Sequence, residues 1–143
     1  MKILACDGIH ADGLTLFKDA GFEVEISEPI KDVAVLAEKL KDFDGIMVRS
    51  ATLISAEALK EAKNLKVIGR AGAGVDTIDV EAATARGIAV MNAPDGNTLA
   101  AAEHAVSLLF ALARHIPRAD AGMKAGEWPK NGLTGFELEG KRL

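Results

Sequence analysis

The stretch KVIGRAGAGVDTIDVEAATARGIAVMN, residues 66–92, reads as strand, glycine-rich turn, helix and strand in succession. Lys66–Gly69 is a short apolar run of strand length. Asp79 stands where a helix N-cap belongs, and Gly87 closes the helix Asp79–Arg86 as the residue type that most readily takes a left-handed C-cap. Ile88–Met91 is the next apolar run. Two strands joined through a helix run parallel, and the crossover between them is right-handed.

Working outward from this unit, the same alternation fills the upstream sequence. Lys2–Cys6 is a strand ending in the turn pair Asp7-Gly8, and Asp12–Ala20 a helix with Leu14, Leu16, Phe17 and Ala20 apolar and Gly21 as its stop. Phe22–Ser27 alternates with period two, which suits an edge strand wet on one face, and Pro29 ends it. Val33–Leu40 places Val33, Leu36, Ala37 and Leu40 on one helical stripe. Gly45–Val48 is a third strand, and Ser55–Lys63 a helix opened by a Ser cap. The fold class expected is α/β: a flavodoxin-like five-stranded parallel sheet with helices on both faces, binding ligands at the carboxyl ends of its strands.

After Pro94-Asp95-Gly96 the character changes. Residues 1–95 are expected to form the first domain and 96–143 the start of a second. Asn97 or Thr98 caps a long helix over 97–114 that is apolar on nearly every side and so expects burial all round. Pro117, a short helix Arg118–Ala125 and an irregular arm around Trp128-Pro129 follow.

The chain has 143 residues, 49% of them hydrophobic and 27% charged, which argues against disorder. Its 17 basic and 21 acidic residues lack the basic excess of a nucleic-acid or membrane-surface protein. One cysteine, Cys6, excludes an internal disulfide and fits a reducing cytoplasm. The longest apolar stretch, Leu99–Ala113, contains Glu103, His104 and Ser107 and falls short of the ~20 residues of a bilayer span. A soluble, cytoplasmic protein is expected.

Chemistry is to be sought at strand ends. Arg49 directly follows the third strand, and a guanidinium there matches two anion oxygens at once, with Ser50 and Thr52 offering hydroxyls. The alternative is a solvated loop Arg. In Gly72-Ala73-Gly74 the third glycine of a dinucleotide fingerprint would fall at Thr77, so that pattern fails. A nest of unobstructed N–H groups that holds carboxylate or phosphate fits better, beside Arg70; a plain glycine turn is the alternative. Two arginines and one nest suit a ligand with two anionic groups. Asn97 reads first as a helix cap, Asn92 and Asp95 as turn residues, and Cys6 as a small buried hydrophobe. His10, His104 and His115 have no partner at a metal or triad spacing.

Val48-Arg-Ser-Ala-Thr52, Val67-Ile-Gly-Arg-Ala-Gly-Ala-Gly-Val-Asp-Thr-Ile-Asp79, Ala82-Ala-Thr-Ala-Arg-Gly-Ile88 and Met91-Asn-Ala-Pro-Asp-Gly-Asn-Thr98, followed by Ala102-Glu103, resemble the D-isomer-specific 2-hydroxyacid dehydrogenases, in particular the branch acting on 3-phosphoglycerate. The resemblance extends through Met123-Lys-Ala-Gly-Glu-Trp128 and Glu137-Leu-Glu-Gly-Lys141. It implies that the first domain binds a small phosphorylated hydroxy acid. Arg49 would then hold the phosphate, with Ser50 beside it, and the N–H groups of Gly72, Ala73 and Gly74 the carboxylate. Arg70 and Asn97 would be further substrate contacts, and Ala73 would reach the nicotinamide end of NAD. It also implies that the true GxGxxG, the catalytic Arg and the Glu–His pair follow Leu143. The chain would then be an N-terminal fragment, inactive alone, without tight NAD binding and holding no metal. A homodimer through helix 97–114 and the arm is expected. The alternative, from a different class, is a free-standing flavodoxin-like anion-binding or regulatory module. A receiver-type module needs an acidic pair after the first strand, where Asp7 stands alone, and an Asp where Arg49 stands.

Overall fold

Short apolar or alternating runs separated by helices give, in the computed structural model, the elements β1 (Lys2–Ala5), α1 (Ala11–Asp19), β2 (Glu23–Ile26), α2 (Val33–Leu40), β3 (Gly45–Val48), α3 (Ala56–Leu59), β4 (Val67–Arg70), α4 (Val80–Ala85), β5 (Ala89–Asn92), α5 (Thr98–Ala113) and α6 (Ile116–Lys124). The structure describes residues 1–142. By its internal contacts the chain divides into two units, Met1–Asn97 and Thr98–Leu143.

In the first unit all strand pairs are parallel and the sheet order is β2-β1-β3-β4-β5. The chain steps outward from β1 to β2, then passes back over β1 to β3 and continues in that direction. Because each crossover is right-handed, this single reversal places α1 on one face of the sheet and α2, α3 and α4 on the other. The core follows the three-helix face. Leu4, Cys6, Ile46, Val48 and Ile68 from the strands meet Leu36, Leu40, Ala58, Leu59 and Ala83 from the helices. On the opposite face, Ile3, Met47, Val67 and Met91 alternate with these and, with Phe17 and Phe22, line an apolar groove of about 500 Å³. β2 is an edge strand, as its alternation predicts, and its Glu25 pairs with Lys39 at 2.6 Å and with Lys2 at 3.5 Å.

Helix ends follow the caps read in the sequence. Asp32, Ser55 and Asp79 each accept backbone N–H bonds at an N-terminus. Gly21 and Gly87 adopt φ of 80° and 69°. At Gly87 the N–H of Ile88 reaches the carbonyl of Ala83 at 2.9 Å while Gly87 N–H reaches that of Thr84 at 2.9 Å, the paired bonds of a Schellman motif. Gly21 repeats the pattern, and Phe22 packs its ring on Phe17, 6.0 Å between centroids, as the accompanying hydrophobic contact.

Three expectations need correction. The helix expected over 55–63 is α-helical only over Ala56–Leu59. Beyond it the backbone tightens into turns, with Ala62 N–H on Leu59 O at 3.0 Å and Leu65 N–H on Ala62 O at 3.4 Å, and both side chains enter the core. Helix α6 begins at Ile116, so Pro117 lies in its first turn, where the missing N–H costs nothing. In the second unit α5 is not buried all round. Only Ala113 is buried, while Leu99, Leu108, Phe110 and Leu112 are exposed, Leu99 by 72% and Leu112 by 69%. The segment that returns to α5 meets its carboxyl end, through Phe136 N–H on Ala113 O at 3.0 Å. No single helix among the described residues is long and apolar enough to cross a membrane.

The Schellman turn gives a first test. Gly87→Ala places a Cβ at φ 69° and should cost about 1 kcal/mol, whereas Gly87→Asn, which tolerates that conformation better, should cost less. Urea midpoints of the two variants would check the order; equal midpoints would contradict it.

Candidate functional site

β1, β3, β4 and β5 all deliver their carboxyl ends to one edge of the sheet, and the crevice opens between β1 and β3, where the strand order reverses. The residue at the end of β1's apolar run, Asp7, is buried and sits at φ 65°, a left-handed conformation that aspartate tolerates better than most side chains. Its Oδ2 accepts the backbone N–H groups of Arg49 at 2.9 Å, Ala51 at 3.1 Å and Thr52 at 3.1 Å. Its Oδ1 accepts the Thr52 hydroxyl at 2.6 Å, and that hydroxyl oxygen in turn accepts the N–H of Ile30 at 3.1 Å. Burial by itself raises the Asp7 carboxyl, but the bonds from Thr52, Arg49 and Ala51 outweigh it and hold the group below its ordinary value. The neighbouring Cys6 thiol is pushed up to about 11 by burial and then by Asp7, so it stays protonated and inert at neutral pH.

The loop that Asp7 anchors carries Arg49 and Ser50, both exposed. Arg49, Gly8, His10, Met47 and Ala71 are among the residues lining a cavity of about 480 Å³ over the strand ends. Thr52, by contrast, is fully buried and committed to Asp7 and Ile30, which corrects the expectation that its hydroxyl faces a ligand.

Arg70 ends β4 and joins this loop to the next. Its Nε donates to the Arg49 carbonyl at 2.9 Å, one terminal nitrogen to the Gly74 carbonyl at 2.5 Å, and the other lies 3.6 Å from the Asp76 carboxylate. The guanidinium explains the glycines. A Cβ on Gly72 would stand 3.2 Å from an Arg70 nitrogen, and one on Gly74 would stand 3.2 Å from the same nitrogen and 2.7 Å from Asp76 Oδ1. Neither glycine takes a positive φ, so torsion does not require them, and a Cβ at either would press on the ends of the Arg70 and Asp76 side chains. The nest is narrower than expected, since Gly72 N–H is taken by the Arg70 carbonyl at 2.9 Å.

The strand ends therefore bring together Arg49, Ser50, Arg70, Gly72, Ala73 and Gly74. Asn97 is exposed just ahead of α5. Two residues read only as turn formers have larger parts. Asp7 organises the Arg49 loop, and Asn92 donates its side-chain amide to the Ala73 carbonyl at 2.6 Å. Asp7 lies more than forty positions from the N–H groups it holds, so no local pattern could reveal it. His10 caps α1, its Nδ1 accepting the Asp12 N–H at 3.3 Å, and His115 Nε2 lies 3.2 Å from the Thr134 carbonyl. Among the described residues no group of three or more His, Cys, Asp or Glu is placed to hold a metal. The glycine loop does not suit a dinucleotide pyrophosphate, because Thr77 replaces the third glycine and α4 begins only at Val80. A receiver-like role is disfavoured by the same geometry, since both oxygens of Asp7 are already engaged.

A family model described as D-isomer specific 2-hydroxyacid dehydrogenase, catalytic domain, matches residues 3–136. The D-3-phosphoglycerate dehydrogenase of Archaeoglobus fulgidus is 46% identical over 141 residues, 99% of this chain and 27% of that protein. The chain thus spans about a quarter of that relative's length. Among solved structures, the TT0316 protein of Thermus thermophilus is similar with a TM-score of 0.84 at 32% identity, covering 96% of this chain and 46% of that one. The NAD+-bound 3-phosphoglycerate dehydrogenase of Entamoeba histolytica is similar at 0.73 and 32% identity, covering 96% and 43%.

The Asp7 anchor is open to direct test. Asp7→Asn keeps the volume but sets an amide donor or a weaker acceptor against three converging backbone N–H groups, and should cost about 2 kcal/mol at neutral pH. Because the folded carboxyl lies below its ordinary value of 3.8, its contribution is complete above that value and is lost as pH falls through the depressed folded one. Urea unfolding at pH 7 and pH 3 should therefore show a smaller gap between wild type and Asp7→Asn in acid; a gap independent of pH would contradict the assignment.

Proposed function

Since the chain belongs to the D-isomer-specific 2-hydroxyacid dehydrogenase family, we propose that it is the substrate-binding part of a cytoplasmic enzyme oxidising 3-phosphoglycerate to 3-phosphohydroxypyruvate, the entry step of serine synthesis. The observation that carries this reading is the exposed Arg49 at the end of β3 beside the Ala73–Gly74 loop, in a chain 46% identical to a D-3-phosphoglycerate dehydrogenase. One anchor is a charged fork and the other a row of backbone donors, so a small ligand with an anion at each end can bridge them.

In this reading Arg49 binds the phosphate, with Ser50 donating its hydroxyl, and the N–H groups of Ala73 and Gly74 bind the carboxylate. Arg70 holds the two loops at the span the substrate needs and adds positive charge behind them, Gly72 gives it room, and Asn97 closes over the ligand. The cofactor proposed for the enzyme is NAD, which when bound takes the hydride from the carbinol carbon; of it, this chain supplies an edge contact at Ala73. No residue of the crevice is assigned the part of general acid or base in this reading, and the 143-residue chain is expected to turn over no substrate alone. The partner proposed for the exposed side of α5, with Leu99, Leu108, Phe110 and Leu112, is a second copy of the chain.

Two measurements test the reading. Titration of the ¹⁵N-labelled chain with 3-phosphoglycerate should shift the amides of Arg49 and Gly74, and Arg49→Ala should weaken binding at least about ten-fold, as loss of a charge-assisted bond implies. Flat titrations would remove the substrate assignment. Light scattering should give twice the monomer mass, reduced by Leu108→Glu; a strict monomer at high concentration would remove the dimer.

A further inference from the structure

The carboxylate cradle proposed above has to present N–H groups rather than carbonyl oxygens to an anion, and a short glycine loop has no intrinsic reason to do so. A peptide group is planar and trans, so its C=O and the following N–H point in opposite directions. Fixing one fixes the other. The Gly72 carbonyl accepts the N–H of Ala93 at 3.0 Å, two residues past the Arg70 carbonyl that the β4–β5 register would supply, and this turns the Ala73 N–H away from β5. The next carbonyl, that of Ala73, lies beyond the reach of the ladder. It is taken by the side-chain amide of Asn92 at 2.6 Å, which turns the Gly74 N–H away in the same manner. The Gly74 carbonyl is in turn held by Arg70. Among the described residues the N–H groups of Ala73 and Gly74 bond to no protein acceptor, and Gly74 is exposed.

We propose that Asn92 is a positioning residue of the substrate site: it binds no substrate itself, but its amide locks the Ala73–Gly74 peptide with the N–H outward, setting the cradle's preference for a carboxylate. This rests on the substrate reading above. Asparagine suits the task because its short side chain ends in a donor that can reach the neighbouring loop from the last position of β5. The substitution Asn92→Asp would set a carboxylate oxygen against the Ala73 carbonyl and favour the flipped peptide, which directs an oxygen at the ligand.

The test compares wild type, Asn92→Ala and Asn92→Asp by ¹⁵N–¹H spectra and by binding of two probes, 3-phosphoglycerate and glycerol 3-phosphate, which has a hydroxymethyl group where the former has its carboxylate. Both variants should displace the Gly74 amide resonance while leaving core amides such as those of Ile46 and Ile68 in place. Each should weaken 3-phosphoglycerate about ten-fold and leave glycerol 3-phosphate unchanged. An equal loss for both probes, an unmoved Gly74 resonance or undiminished 3-phosphoglycerate binding would overturn the proposal. If the wild-type chain takes up neither probe, the substrate reading fails; the peptide lock then stands on a displaced Gly74 resonance, and an unmoved one removes it as well.

Discussion

Asp7 Oδ2, one oxygen atom shared by three backbone N–H groups, fixes the loop after β3, and the rest of the site is built outward from that loop. The arrangement is possible because the strand order reverses between β1 and β3, which makes the end of β1 and the start of the Arg49 loop neighbours across the crevice. A carboxylate is the group that can saturate several converging amides without a counter-charge, and its second oxygen is closed by Thr52. From the anchored Arg49 carbonyl the order passes to Arg70, from Arg70 to Gly74, and from Asn92 and Ala93 to the peptides before it. Each tie uses a polar group of the protein to decide the direction of another, so the groups at the strand ends are held in place by the protein itself.

Most of the fold was legible because its signals are local. Gly21 and Gly87 mark helix ends through torsion, Asp32, Ser55 and Asp79 mark starts through hydrogen bonding, and the alternation at 22–27 marks an edge. The helix after Ser55 was read too long because the demand that shortens it, burial of Ala62 and Leu65 against Leu59, belongs to the core and not to the segment. Within the site, Arg49, Arg70 and the glycines announced themselves by position after strands. What could not be read was their mutual geometry. Thr52 looked like a partner of Ser50, yet the loop bends over 50–52 and Thr52 turns into the protein, onto Asp7 and Ile30. Asp7 and Asn92 were hidden because turn-forming residue types are the same whether they merely turn the chain or also hold a distant loop.

The reversal that creates the crevice also leaves the sheet unevenly clothed. Within the first unit three helices cover one face and α1 alone serves the other, where Gly45 and Gly69 withhold side chains and Met47 lies across the gap. A Cβ on Gly45 would come within 2.7 Å of Ile3 and 2.9 Å of Val67, so that groove owes its depth to a missing carbon at the start of β3.

Arg70 has one more consequence. Its three nitrogens meet an acceptor on the β3 side, an acceptor in the glycine loop and a carboxylate beyond it, all across a single resonance-stiffened plane. The gap between the two loops is therefore gauged by covalent bond lengths, which do not stretch with temperature or relax with repacking as an apolar contact would. The crevice carries its own ruler, and a lysine, with one point of charge on a pliant stem, could neutralise the same acceptors without measuring anything.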